Sequence, residues 1–528
     1  MQHTMTQDFF NAADYFVDRN IRQGRGHKIA IYTEHRNYTY NDIQKMVNKT
    51  ANAMRDRGLR IEERVMMLML DVPQFYAIFW GAIKLGAIPI PVNTMLNPED
   101  YEFYLNDSRA RLLVVSEELL PVINKIKGDL PYLRDIIVIS EVEGAHIPFK
   151  QKYKSAPATI KTTSTTRDDV GFWLYSSGST GSPKGAIHSQ YDMVVTSNAY
   201  AKGILGLTED DICLSAARLF FAYGLGNGMY FPLSAGCSAV LNPHHPTPEI
   251  MFRSLEKFRP TIFFGIPTLY GQMLEYQVRM DREKGVKADP NADHALSSVR
   301  ICVSGGEALP PDIYKRWKDR YGVNILDGMG STEMAHIFLS NSPGEIKLGS
   351  TGKPVPGYEL KLVDHEGNEV PQGDIGTLLV KGDSAAQFYW HKRQKSRQTM
   401  QGEWINTGDK YYIDSDGFYW CAGRADDMLK VGGIWVSPVE VENCLGEHKA
   451  VLENAVVGWK DEKKLVKPKA FVVLREDFVP SEELAEELKK WVLEKLPKFK
   501  YPRWIEFLPA LPKSATGKTQ RFKLRQDT

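Results

Sequence analysis

Residues Phe172–Gly185 read FWLYSSGSTGSPKG, and the rest of the chain is best approached from this stretch. The apolar run Val170–Leu174 is strand-like and passes directly into a loop of Ser, Thr and Gly that ends in Lys184. Gly178, Gly181 and Gly185 accept positive φ, so successive backbone N–H groups can turn toward one anion. Ser176, Ser177, Ser179 and Thr180 add hydroxyl donors, and Lys184 adds a positive charge. A triphosphate tail needs all three kinds of group. A flexible Ser/Gly connector is the plainer alternative, although a solvated linker would not follow directly from a buried strand. The loop is not a Walker A motif, because Pro183 precedes the lysine and disfavours the helix that motif opens.

On either side of the loop, short apolar runs alternate with amphipathic segments. Strands are predicted at 111–115, 135–139, 261–264 and 299–303, and helices at 41–57, 248–258 and 311–321. This alternation implies layered α/β structure on largely parallel sheets. From about Gly344 to Lys381 the strands shorten and turns multiply, as in VDHEGNEVPQGDIG, which predicts a β-rich subdomain. The last hundred residues carry their own pattern, with helices at 438–445 and 481–496 and strands at 452–457 and 469–474. The expected architecture is therefore a large α/β domain over 1–425, ending in the β-rich part, and a small α+β domain over 426–528.

Composition bounds the function. The chain has 528 residues, 43% hydrophobic and 25% charged, which suits a globular protein of more than one domain. Lys and Arg number 66 against 65 Asp and Glu, so no basic field marks a nucleic-acid binder. The five cysteines form no C-x-x-C pair, which speaks against zinc or a redox couple and for a reducing, cytoplasmic setting. The most apolar stretch, Val65–Val92, is interrupted by Asp71, Pro73, Gln74 and Lys84. It reads as strand, helix and strand rather than a membrane span.

Further segments line up after the loop: SGGEA at Ser304–Ala308, DGMGSTEM at Asp327–Met334, TGD at Thr407–Asp409, GRADDMLKVGGIWVS at Gly423–Ser437 and PKSATGKTQR at Pro512–Arg521. Glu333 beside the Thr332 hydroxyl suits a hard cation that bridges phosphate oxygens. Read singly, each has a plain alternative: a surface turn, a turn aspartate, or a solvated basic tail around Lys518. Read in this order, they and YSSGSTGSPKG resemble the adenylate-forming superfamily of acyl-CoA synthetases, luciferases and peptide-synthetase adenylation domains. The resemblance spans nearly the whole chain.

That resemblance implies ATP, Mg²⁺ and coenzyme A as reactants and cofactor. It assigns Lys518 as the catalytic lysine, with Lys184 and Thr332 on phosphate and Glu333 on Mg²⁺. It places Gly306, Glu307, Ala308, Asp327, Gly328 and Met329 around the adenine. Met329 stands where many members have an aromatic residue, which shifts adenine recognition toward Ser304–Ala308. Asp409 would hold the ribose, and Arg424 the ribose or α-phosphate. Asp426 matches the hinge about which the small domain turns between the two half-reactions. Gly432 and Gly433 would line the pantetheine path, and Trp435 replaces a basic residue common in relatives. Trp459, Phe499, Lys498, Lys500 and Arg503 are candidates for a CoA nucleotide site, with an exposed basic helix end as the alternative.

RLFFAYGLGN at Arg218–Asn227, with DGMGSTEMAHIFLSN and VGGIWVSPVEVE, resembles the benzoate-CoA ligase branch. Ala222, Tyr223, Gly330, His336 and Ile337 would then surround the acyl group, in a lining that suits a flat ring. His336 is equally readable as a hydrogen-bonded core residue. Benzoate, hydroxybenzoates, a cyclohexene carboxylate and short branched acids all stay open as substrates. A carrier-protein thiol is the nearest rival acceptor to CoA. A phosphotransferase would instead make ADP and need a base against a hydroxyl. An oxidoreductase is weaker, since Gly224, Gly226 and Gly228 do not give G-x-G-x-x-G after a strand. No nucleic-acid or membrane partner is expected, and a homodimer is expected only by analogy.

Overall fold

The computed structural model describes residues 9–140, 153–177, 183–285, 294–431, 434–462, 464–514 and 518–525. Positions Gly178, Ser179, Thr180, Gly181, Gly432 and Gly433 of the expected site lie outside them.

Two sheets carry the large domain. A four-stranded parallel sheet is ordered Ile88–Pro91, Arg64–Leu68, Leu112–Ser116, Asp135–Ile139. A nine-stranded sheet runs Lys353–Pro354, Ile337–Ser340, Ile325–Gly330, Ile301–Gly305, Ile262–Gly265, Ile212–Ser215, Ser238–Val240, Ile29–Tyr32, Asn37–Thr39. Its six central strands, from Ile325–Gly330 to Ile29–Tyr32, are parallel. These strands read as continuous apolar runs because helices cover both faces. The helices start and stop where local chemistry dictates. Pro248–Phe258 begins behind the Thr247 cap and ends at Arg259 in the left-handed region. Pro311–Tyr321 begins on a proline and ends at Gly322, also left-handed.

The apolar stretch flagged above is strand Arg64–Leu68, helix Pro73–Lys84 and strand Ile88–Pro91. The helix is buried almost all round, which explains its composition without a bilayer. Among the described residues no helix is long and apolar enough to cross a membrane. Lys84 at its end is only 2% exposed and donates to Asp18 and Asn48, so its buried charge is paired.

The β-rich part is an antiparallel sheet of Glu359–Val363, Gly376–Lys381, Met400–Gln401, Trp404–Ile413 and Tyr419–Arg424. Beyond it, Val451–Lys460, Val466–Leu474 and Trp504–Phe507 form a separate three-stranded sheet. Helices Pro438–Gly446 and Glu482–Lys495 pack with it. Among the described residues, the apolar clusters built from residues up to 421 share no member with those built from residue 429 onward. Four clusters lie on the first side and two on the second, and among the described residues none spans both.

Sequence and structure differ at one point that matters for the site. Lys184 does not close a loop. It lies on strand Pro183–Ser189, which runs back antiparallel to Val170–Ser177 with Ser176 opposite Lys184. The pair forms a hairpin because Tyr175, Trp173 and Ile187 need burial on a shared face, and Pro183 disfavours a helix.

Candidate active site

Strands Ile262–Gly265, Ile301–Gly305 and Ile325–Gly330 are parallel, and their carboxyl ends open on the same edge. That edge is where open α/β sheets bind ligands. Asp327 pairs in register with Ser304, and Gly328 with Gly305, so DGMG and SGGEA form one surface. Asp327 is 6% exposed and burial pushes its carboxyl up to about 8. Among the described residues, five buried polar atoms around this edge have no hydrogen-bond partner: Ser176 Oγ, Ser304 Oγ, Asp327 Oδ1, Ser331 Oγ and Asp409 Oδ2. Buried polar groups are almost always satisfied, so this cluster suits a polar ligand such as a nucleotide.

Thr407–Asp409 and Gly423–Arg424 meet on adjacent strands, with Asp409 opposite Arg424. Arg424 Nη1 donates to Asp409 Oδ1 at 3.0 Å. Burial raises the Asp409 carboxyl, while Arg424 and Lys518 pull it the other way. Lys518, from the far end of the chain, therefore reaches this carboxylate's surroundings. A Cβ placed on Gly306, whose φ is +96°, would lie 3.6 Å from Lys518 Cε. The next residue, Thr519, donates its N–H to Glu307 Oε1 at 3.0 Å. The terminal loop is thus docked on the SGGEA turn.

The phosphate side is assembled from three elements. Burial lowers the Lys184 ammonium and Glu333 raises it. Lys184 Nζ stands 4.8 Å from the Tyr389 ring centroid, and the Tyr389 hydroxyl donates to Glu333 Oε1 at 2.6 Å. Tyr389 thus touches both Lys184 and the acid. It arrives on strand Phe388–Tyr389, which pairs with Pro183–Ser189. Behind it, the His188 ring bonds Asp192 Oδ2 through Nδ1 at 2.7 Å and the Thr332 carbonyl through Nε2 at 2.8 Å. These two bonds tie the ring to the turn Thr332–Met334 and fix that turn from below. The sequence reading missed Tyr389, His188 and Asp192. The four-residue spacing of His188 and Asp192 was a faint signal. Tyr389 had none.

At the acyl side, Tyr223 donates its hydroxyl to Gly265 O at 3.3 Å and Val303 O at 3.2 Å. Ala222 and Tyr223 open a helix whose next turn, Gly226–Tyr230, widens to π geometry. His336 is 2% exposed, and its Nε2 donates to Asn227 Oδ1 at 3.0 Å and Tyr223 O at 3.3 Å. Burial pushes its imidazole down to about 3, so the ring is neutral with Nδ1 unprotonated. A Cβ on Gly226 would lie 2.4 Å from His336 Cδ2, so only glycine lets the ring lie there. Ile337 packs under Gly328, and Gly330 lies against the His336 carbonyl. All five predicted acyl residues are neighbours.

Among the described residues, the predicted CoA residues Trp459 and Phe499 are not brought together. Trp459 packs in the apolar cluster on one face of the terminal sheet, with Lys469 Nζ 3.6 Å from its ring centroid. Phe499 packs in the cluster on the other face. Lys500 is paired with both Glu440 oxygens at 2.7 Å, while Lys498 and Arg503 are exposed. The alternation of side chains along the strand at Phe471 and Val472 separates the two faces.

Comparison with known proteins now adds to this geometry. The AMP-binding enzyme family profile matches residues 17–390, and that of the AMP-binding enzyme C-terminal domain matches 440–518. The chain belongs to the AMP-binding enzyme family. It is 47% identical over 524 residues to the benzoate–CoA ligase of Thauera aromatica, covering 98% of this chain and 96% of that relative. It is 42% identical to the 4-hydroxybenzoate–CoA/benzoate–CoA ligase of Rhodopseudomonas palustris, covering 98% and 94%. Among solved structures, an anthranilate CoA ligase in complex with anthranoyl-AMP matches with a TM-score of 0.92 at 45% identity, covering 99% and 98%. A benzoate CoA ligase from Burkholderia xenovorans matches with a TM-score of 0.88 at 45% identity, covering 98% and 100%. The expected α/β class and superfamily both hold for this family member.

Proposed function

We propose that this protein is an ATP-dependent, AMP-forming ligase that joins a benzoate-class aromatic acid to coenzyme A. The observation that carries the reading is the meeting of Lys518 with Gly306 on the edge that also holds Asp409, Arg424, Lys184 and Glu333. The full-length similarity to ligases of benzoate and hydroxybenzoates supports the same acid class.

In the first step a carboxylate oxygen attacks the α-phosphorus, the bond to the β-phosphate bridge breaks, and pyrophosphate leaves. The obstacle is an anion approaching an anion, and Lys518, Lys184 and Arg424 offset that repulsion. Glu333, held by the Tyr389 hydroxyl, is the acid that would anchor the ion. That suits Mg²⁺ completed by nucleotide oxygens and water, and such an ion would neutralise phosphate charge. Tyr389 and the His188–Thr332 bond orient Glu333 and its turn for that role. In the second step the thiol sulfur attacks the carbonyl carbon, the bond to the AMP oxygen breaks, and the thiol proton passes to solvent.

We place the domain boundary at Arg424–Asp427, with Asp426 as the hinge, on the strength of the divided apolar clusters. The cytoplasm is the matching compartment, since all five cysteines are free thiols.

The test is to incubate the protein with ATP, Mg²⁺, CoA and a panel of acids and to resolve nucleotide and acyl-CoA products by mass. The panel holds benzoate, hydroxy- and aminobenzoates, cyclohexene carboxylate and aliphatic acids. Equal amounts of AMP and an aromatic acyl-CoA are expected. ADP would overturn the mechanism, and conversion of aliphatic acids alone would overturn the substrate class.

A further inference from the structure

The two domains also meet away from the reacting groups, through an ion cluster. Arg475 follows strand Val466–Leu474 in the small domain. Its Nη1 lies 2.5 Å from Glu275 Oε1 and its Nη2 3.4 Å from Asp312 Oδ2. Those acids sit on helices Pro267–Lys284 and Pro311–Tyr321 of the large domain. Arg316 closes the cluster, with Nη2 2.6 Å from the same Glu275 oxygen and Nη1 3.6 Å from Asp312. Two guanidiniums thus face two carboxylates, all between 18% and 29% exposed. Arg475 Nε donates to Val451 O at 3.1 Å, which fixes the side chain within its own domain. A second crossing pair, Arg282–Asp477, is more than half exposed on both sides and contributes little.

The arrangement is asymmetric in a useful way. Without Arg475, Glu275 and Asp312 still share Arg316, so each acid of the large domain keeps a partner while one negative charge is left uncompensated. What is lost is the anchor of the small domain, and with it the placement of the loop carrying Lys518.

We infer that Arg475 is a positioning residue for acyl-adenylate formation: by docking on Glu275 and Asp312 it holds the small domain where Lys518 meets Gly306. The inference rests on the ligase reading, in which Lys518 serves the first half-reaction and not the second. Part of the energy that steadies adenylation is therefore stored in polar contacts far from the nucleotide. The partly exposed cluster is weak enough to be broken and remade in each turnover.

The two half-reactions separate this role from a merely structural one. Adenylate formation is followed by ATP–pyrophosphate exchange with benzoate. Thioester formation is followed from supplied benzoyl-adenylate and CoA. Arg475→Met is expected to slow exchange about tenfold and to leave thioester formation undiminished, with an unchanged unfolding midpoint. Glu275→Gln, on the opposite domain, should do the same, and Arg475→Lys should restore part of the loss. The double variant Arg475→Met/Glu275→Gln should be no worse than the more affected single one. Equal losses in both half-reactions, or none in either, would overturn the docking role while leaving the ligase reading intact. A wild-type enzyme inactive in both half-reactions would overturn the ligase reading, and the docking role with it.

Discussion

At the residue scale, Tyr389 does work that no motif announces. Its hydroxyl steadies Glu333 and its ring lies beside the Lys184 ammonium. Tyr389→Phe keeps the ring and removes one hydrogen bond to a charged group, worth about 1.5–3 kcal/mol. Pyrophosphate exchange should fall by about ten- to a hundredfold, with a higher Mg²⁺ concentration for half-maximal rate. An unchanged Mg²⁺ dependence would remove Tyr389 from the phosphate side. His336 makes a different prediction. It is neutral in the fold down to about pH 3. The unfolded chain takes up that proton near the ordinary histidine value of 6.5, so its contribution is complete above that pH and is lost as pH falls toward 3. In denaturant titrations at about pH 7.5, about pH 5.5 and about pH 4.5, the stability lead of wild type over His336→Gln should shrink with acidification.

At the scale of elements, the acyl side depends on how closely the helix opening at Ala222 approaches strand Ile337–Ser340. Gly226 is the contact point. In Gly226→Ala, the new methyl carbon meets His336 Cδ2 at 2.4 Å and Nε2 at 2.8 Å, so ring or helix must shift. Overpacking of this kind costs about 1–3 kcal/mol. The aromatic acid should bind less well, with KM rising more than kcat falls, as steady-state rates against benzoate would show. Elements also mark what the sequence could disclose. Helices 248–258 and 311–321 were legible to the residue because Thr247, Pro248, Pro311 and Gly322 are local signals. The strand predicted at 299–303 lies at Ile301–Gly305, since strand ends are set by partners. The residues that gather at the sheet edge, from SGGEA, DGMG and TGD, were legible because their motifs are contiguous. Tyr389 was not, because it acts on Glu333 from 56 positions away. Trp459 and Phe499 fall in separate apolar clusters, which aromatic character alone does not disclose.

At the scale of the whole molecule, the proposed ligase reading gives one lysine and two domains the division of labour. Lys518→Ala should lower adenylate formation by about a hundred- to a thousandfold. Thioester formation from supplied acyl-adenylate should continue, and nucleotide affinity should change little. The contrast with Arg475→Met is then quantitative: both act on the same half-reaction, the lysine by touching the reactants and the arginine by placing the lysine.

The division of the apolar clusters at residues 421 and 429 has a thermodynamic corollary. Exposure of apolar surface is what gives a protein transition a large heat capacity. The small domain is held by ion pairs and by hydrogen bonds such as Thr519 to Glu307, and no shared apolar core is torn open when it departs. Its movement therefore carries little heat-capacity change, and the balance between docked and undocked arrangements drifts only gently with temperature. On the proposed reading, the two half-reactions alternate across a wide thermal range, while the stability of each domain follows the usual curved profile.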